Sequence, residues 1–179
     1  MTTRDFLKPA LVSPSVKLAT QASSTFVALV PALARMLPSD DVVSSLAHLF
    51  WFVPSTGYFY ALGTRHALEE CIAWSVSFLV VVFMWIVILS SHEMAARLGS
   101  VKLPLLRRLL ILLLPAGMVI FWLCPGMLHD FSSPKYGAVN RLIDTNVVAR
   151  GIFFYCMTLF SAFTALVARM VFARDRRGA

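Results

Sequence analysis

Five side chains supply the donors from which a metal centre could be built: His66, Cys71, Cys124, His129 and Cys156. Thiolate sulfur with imidazole nitrogen suits zinc or copper. Their spacing argues against it. Ligand pairs normally come at short intervals on one element, and no such pair occurs among these five. Buried cysteines also behave as small hydrophobic residues. No metal site is expected, and these five are the weak candidates. The three cysteines form no CxxC pair, so neither a zinc ribbon nor a disulfide scaffold is predicted.

Histidines facing each other at one depth would hold haem b. His48 with His92 is one pairing, and His66 with His129 the other. Haem anchors usually stand well inside a span. His66 and His92 lie outside the apolar runs, and His129 follows Pro125-Gly126. No cofactor is predicted, and haem b is the lesser alternative. The chain has no HExxH, GxSxG, Walker loop or Gly-rich dinucleotide turn. Glu69 and Glu70 stand at a helix start, where the helix dipole favours negative charge. A catalytic role is not expected.

The elements that carry these residues are apolar helices. Cys71 to Ser90 runs twenty residues without a charged side chain. At 1.5 Å per residue it spans about 30 Å, the thickness of a bilayer's hydrocarbon core. The whole chain of 179 residues is 59% hydrophobic and only 14% charged. A globular domain carries roughly 25% charged residues. An all-α integral membrane bundle with four transmembrane helices is therefore predicted. The expected spans are about 42–62, 71–90, 109–124 and 151–172. The first is weak or kinked, because Pro54 to Gly57 interrupts it; a re-entrant pair is the other reading of 42–62. A three-span arrangement ranks second.

Residues 1–41 read as a polar to amphipathic arm. Within it, Val16 to Leu37 suggests a short helix broken at Pro31, with Phe26, Val27, Val30 and Leu33 on one side. The arm's Ser/Thr-rich, basic start is reminiscent of a mitochondrial presequence. Pro115 predicts a kink in the third span. Residues 125–150 hold a turn at Ser133 to Gly137, then an amphipathic stretch through Val139, Leu142, Ile143 and Val147. Residues 173–179 form a basic tail.

In the four-span reading the whole net charge of +7 gathers on one face, with the arm, the 91–108 linker and the tail. The opposite face sums to zero. The positive-inside rule then puts both termini in the cytoplasm, or in the matrix of a mitochondrion. Topology explains most of the basic residues, and no nucleic-acid partner is expected. Arg97, Lys102, Arg107 and Arg108 lie close together at headgroup level and suit an anionic lipid such as cardiolipin. Small residues mark two packing faces: Ala73 with Ser77, and Ser161 with Ala165 and Ala168.

These features predict a non-catalytic accessory subunit of a larger membrane complex. A respiratory complex or the ATP synthase of the mitochondrial inner membrane is the expected host, with other membrane subunits as partners. A small membrane enzyme of lipid metabolism, or a haem- or quinone-binding anchor, is the first alternative. A small channel or transporter is the second, with a path lined by Ser75, Ser77, Thr158, Ser161 and Thr164.

Overall fold

The computed structural model describes residues 13–53, 55–91, 105–124 and 146–172. These residues form six helices: α1 (Pro14–Arg35), α2 (Asp40–His48), α3 (Thr56–Leu62), α4 (Arg65–Ser90), α5 (Leu105–Leu123) and α6 (Val147–Phe172). Three of them are long and apolar enough to cross a membrane: α1, α4 and the Val147–Arg169 stretch of α6. Within α5, Leu112–Leu123 is a shorter apolar stretch. The chain is thus an all-α membrane bundle.

The pattern of side chains supports a lipid surround. Along α1 the buried positions are Val16, Ser24, Val27, Val30, Pro31 and Ala34. The exposed ones include Leu18, Phe26, Leu29, Leu33 and Met36. Large apolar groups face out while small and hydroxyl-bearing groups face in. The same holds for α6, where Ile152, Phe160 and Phe163 are exposed and Thr158, Ser161, Thr164 and Ala165 are buried. In water this would be inside out. In lipid, small residues let helix backbones approach, and bulky ones meet the acyl chains.

Two expectations about the first third of the chain are corrected here. The helix expected over Val16 to Leu37 is not broken at Pro31. Pro31 lies inside a continuous 22-residue helix, itself buried against the bundle. A proline forfeits one backbone bond, and neighbouring helices can tolerate that loss. Nor do Phe26 and Leu33 share a side with Val27 and Val30; the first two face outward and the last two inward.

The expected 42–62 span is two short helices. At 1.5 Å per residue, α2 and α3 reach only about 13 Å and 10 Å, too short to cross. They double back on each other along α4. At the open end, Arg65 of α4 holds Asp40 at 2.6 Å and the Leu37 carbonyl at 2.8 Å. Further along, the Tyr60 ring lies 4.9 Å from His48, and its hydroxyl donates to the Ser44 carbonyl at 3.4 Å. At the turn, the Thr56 hydroxyl donates to the Phe50 carbonyl at 2.7 Å. Phe59 packs on Trp74, two turns into α4 and beyond its charged first turns. The segment is a helical hairpin with the apolar residues Leu49, Trp51 and Phe52 exposed at its tip.

Local signals fix the helix starts and stops. Ser39 caps α2, accepting from the Val42 amide, with Asp40 and Asp41 in the first turn. Gly63 ends α3 in the left-handed region at φ 63°, where a side chain would be strained. Thr64 then caps α4 through the Ala67 amide. Asn146 caps α6, accepting from Val148 and Ala149 at 2.9 and 3.3 Å.

The long helices alternate in direction. α1 packs most extensively on α6 and α4, and α5 lies against α6. The first turns of α4 and α6 meet, since Arg150 contacts both Glu70 and His66. Their far ends meet too, where Arg169 reaches the Ser91 carbonyl. α4 and α6 therefore run parallel to each other. α1 is antiparallel to both, its start packing beside Met84 and Ile88.

Candidate functional site

Two polar constellations stand out in this apolar frame. The first is a chain of charges at the shared start of α4 and α6. Arg150 is only 4% exposed, although it lies one turn into α6, where the helix dipole disfavours a cation. Its position is explained by what it meets. One guanidinium nitrogen lies 3.4 Å from the Glu70 carboxylate and 3.0 Å from His66 Nε2. Arginine only donates, so Nε2 must accept. The geometry assigns His66 as the neutral ring with its proton on Nδ1, 3.9 Å from Glu69 Oε2. Glu69 is itself buried, and its other oxygen accepts from Arg65 Nε at 3.0 Å. Arg65 closes the chain on Asp40.

These pairs differ in strength. Asp40 is 76% exposed and Arg65 39%, so solvent screens their bridge and it contributes little. Arg150 and Glu70 are 5% and 14% exposed at their side chains, and their pairing is much less screened. Sequence reading assigned Glu69 and Glu70 to helix-end electrostatics. The joining of Glu70 to Arg150 across two helices was not visible, because 80 residues separate the partners.

The second constellation is a set of indole hydrogen bonds in the bundle centre. Trp74 donates from Nε1 to the Trp122 carbonyl at 2.9 Å, linking α4 to α5. Trp122 donates to the Ser161 hydroxyl at 2.9 Å, linking α5 to α6. Trp85 donates to the Ser161 carbonyl at 3.0 Å, linking α4 to α6. Ser161 thus joins three helices, and its own hydroxyl returns to the Met157 carbonyl. Around the joint, Trp74, Phe121, Trp122, Phe153 and Phe154 form one ring cluster with centroids 5.2 to 6.3 Å apart. Ser161→Ala is expected to destabilise the bundle by about 1 kcal/mol, the scale of interhelical hydrogen bonds in membranes. Trp122→Phe in that background should then cost little, and a double-mutant cycle on thermal unfolding checks the coupling.

The five packing residues singled out from sequence, Ala73, Ser77, Ser161, Ala165 and Ala168, are all buried. So are Ser75, Thr158 and Thr164. Ser77, Thr158 and Thr164 each donate to a carbonyl of their own helix at 2.6 to 2.8 Å. Of the weak metal candidates, Cys71 is buried, Cys124 and Cys156 are exposed, and all three are free thiols. His66 belongs to the charge chain, and His129 lies outside the described residues. Among the described residues, no group of three or more His, Cys, Asp or Glu could hold a metal ion. Of the suggested haem pairs, His48 lies tilted against the Tyr60 ring, while His92 also lies outside the described residues. Arg107 and Arg108 stand on the first turn of α5. Arg97 and Lys102, the Ser133–Gly137 turn, the amphipathic residues Val139 to Ile143 and the basic tail lie outside the described residues. Comparison with protein-family models, curated proteins and solved structures finds no match.

Proposed function

We propose that the chain is a non-catalytic accessory subunit of a larger membrane complex. One observation carries this reading. Among the described residues, the ionisable groups that come together form a clamp between helices, from Asp40 through Arg65, Glu69, His66 and Arg150 to Glu70. A catalytic pair or a proton relay would need acids and bases converging on an accessible space. Here they link segments. The hydroxyls of Ser77, Thr158 and Thr164, which a channel would turn toward water, return to their own helices.

The orientation reading is sharpened by α1 as a crossing helix. With α1, α4, α5 and α6 all crossing, the side where α1 begins and α6 ends collects eleven of the 16 Lys and Arg. It collects only three of the 9 Asp and Glu. The positive-inside rule then keeps both termini cytoplasmic or in the matrix. We place the chain in the mitochondrial inner membrane, on the basic, Ser/Thr-rich start of its sequence, with a respiratory complex or ATP synthase as host. The linker residues Arg97, Lys102, Arg107 and Arg108 would meet cardiolipin headgroups there.

Gentle detergent extraction from native membranes, native electrophoresis and mass spectrometry of the migrating band test this. The expected result is a high-mass band containing other membrane subunits. Recovery of the chain as a lone monomer that carries a catalytic activity would refute it.

A further inference from the structure

We infer, on the subunit reading above, that α1 carries the docking strip for a transmembrane helix of another subunit. That helix offers hydrogen-bonding side chains in mid-membrane and acidic ones at both surfaces. Along one line α1 departs from the pattern of large residues outside and small ones inside. Lys17, Gln21, Thr25, Ala28, Ala32 and Arg35 recur at steps of four or three residues, so they share one helix face. The four polar residues are exposed and the two alanines partly buried. The bulky outward residues Phe26, Leu29 and Leu33 follow a different line, with Phe26 beside α4. The strip borders α6 instead, which approaches the Ala28 carbonyl at Gly151.

Depth makes this strip costly in lipid. Phe26 packs beside Leu79 and Val80, the middle of the charge-free run Cys71–Ser90. Thr25 therefore lies near the midplane. Gln21 is one turn nearer the surface where α1 begins. Half a core of ~30 Å, less four residue steps of 1.5 Å, still leaves it about 9 Å below that surface. Neither side chain makes a hydrogen bond among the described residues. A carboxamide carries two donors and an acceptor, and hydrocarbon satisfies none of them. In membranes such groups are matched by polar side chains of a neighbouring helix, and the alanines let that helix come close.

Charge decides which helix. Lys17 and Arg35 close the two ends of the strip, eighteen steps or about 27 Å apart, close to the thickness of the core. Neither has an acidic partner among the described residues. A second copy of this chain in the same membrane would be related by a two-fold axis along the membrane normal. Gln21 would then meet Gln21, but Lys17 would meet Lys17 and Arg35 would meet Arg35. A different chain, with Asp or Glu at both surfaces and a carboxamide or hydroxyl between, satisfies all four polar residues at once.

Photo-crosslinking and native electrophoresis of the full chain in its own membranes test the assignment. A benzoylphenylalanine in place of Gln21 should link to a transmembrane segment of another subunit. Mass spectrometry of the linked peptide should find Asn, Gln, Ser or Thr near the link and Asp or Glu at both ends of that segment. Gln21→Leu should lower the share of the chain in the high-mass band about fivefold, the effect of one interhelical hydrogen bond in lipid. Gln21→Asn should keep most of it. Since Gln21 is exposed, Gln21→Leu should leave the circular dichroism spectrum of the purified chain unchanged. Adducts with lipid alone overturn the proposal, as does a link to a second copy of this chain. A high-mass band indifferent to Gln21→Leu overturns the strip and leaves the subunit reading standing, whereas a wild-type chain that migrates as a lone monomer overturns both. If Gln21→Leu alters the spectrum, the cross-link decides.

Discussion

Gly151→Ala is expected to lower the stability of the bundle by about 1–3 kcal/mol, the usual cost of overpacking a filled core. Gly151 stands one turn into α6 and meets α1 at the closest helix crossing that the described glycines mark. A methyl group there would lie 2.6 Å from the Ala28 carbonyl oxygen, with the carbonyl carbon at 3.6 Å. The obstacle is backbone, so no rotamer change relieves it. The two helices must separate or shift. Helix propensity works the other way, since alanine is favoured over glycine in a helix by roughly 1 kcal/mol. The clash outweighs this because α1 and α6 share the most extensive packing in the molecule. Gly151→Leu should cost more and release α1. The control is Gly117→Ala in α5, where a methyl group meets nothing within 4 Å. That variant should be neutral or slightly stabilising. Thermal unfolding in a mild detergent compares the three. Equal midpoints for Gly151→Ala and Gly117→Ala would show that the crossing is looser than described.

The second large effect is expected from Arg150→Ala, at about 3–5 kcal/mol, the range for removing one partner of a buried ion pair. The variant leaves the Glu70 carboxylate, 14% exposed, without that cation. It also removes the donor to His66 Nε2. The contact between the starts of α4 and α6 is lost along with the charge. A pair replaced together behaves differently from a pair broken. Arg150→Met combined with Glu70→Gln should recover part of the loss, because no charge then stays buried without its counterpart. Unfolding midpoints of the two single variants and the double variant decide it. A double variant as unstable as the sum of the singles would mean that the two residues act independently.

How much of this was legible in the sequence depends on which forces shaped each segment. Cys71–Ser90 was plain, because only lipid explains twenty residues without charge. The last helix was found to within a few residues, running Val147–Phe172 where 151–172 was expected. The helix α1 was misread for a physical reason. Its Pro31 looks like a break when side chains are assumed to face water or lipid. Ser24 and Pro31 instead face protein, where small and kinked residues are tolerated. The hairpin at 42–62 has the composition of a span and lacks its length of continuous helix. Its shape depends on Arg65 and Trp74, which belong to the next helix. The packing residues Ser161 and Ala165 were readable from i, i+4 spacing. The role of Ser161 as a joint for two indoles was not, since Trp85 and Trp122 lie 76 and 39 residues away.

The α1–α6 crossing also bears on how the protein is made. Synthesis delivers α1 well before α6, and the two are each other's principal neighbours. While α4 and α5 emerge, the inward face of α1, with Ser24 and the Ala28 carbonyl, has only part of its final cover. The groove that receives Gly151 stays open until α6 leaves the ribosome. Contacts this distant in sequence are slow to close and favour waiting intermediates. Chains truncated before α6 should therefore be the form on which membrane chaperones and quality-control proteases act.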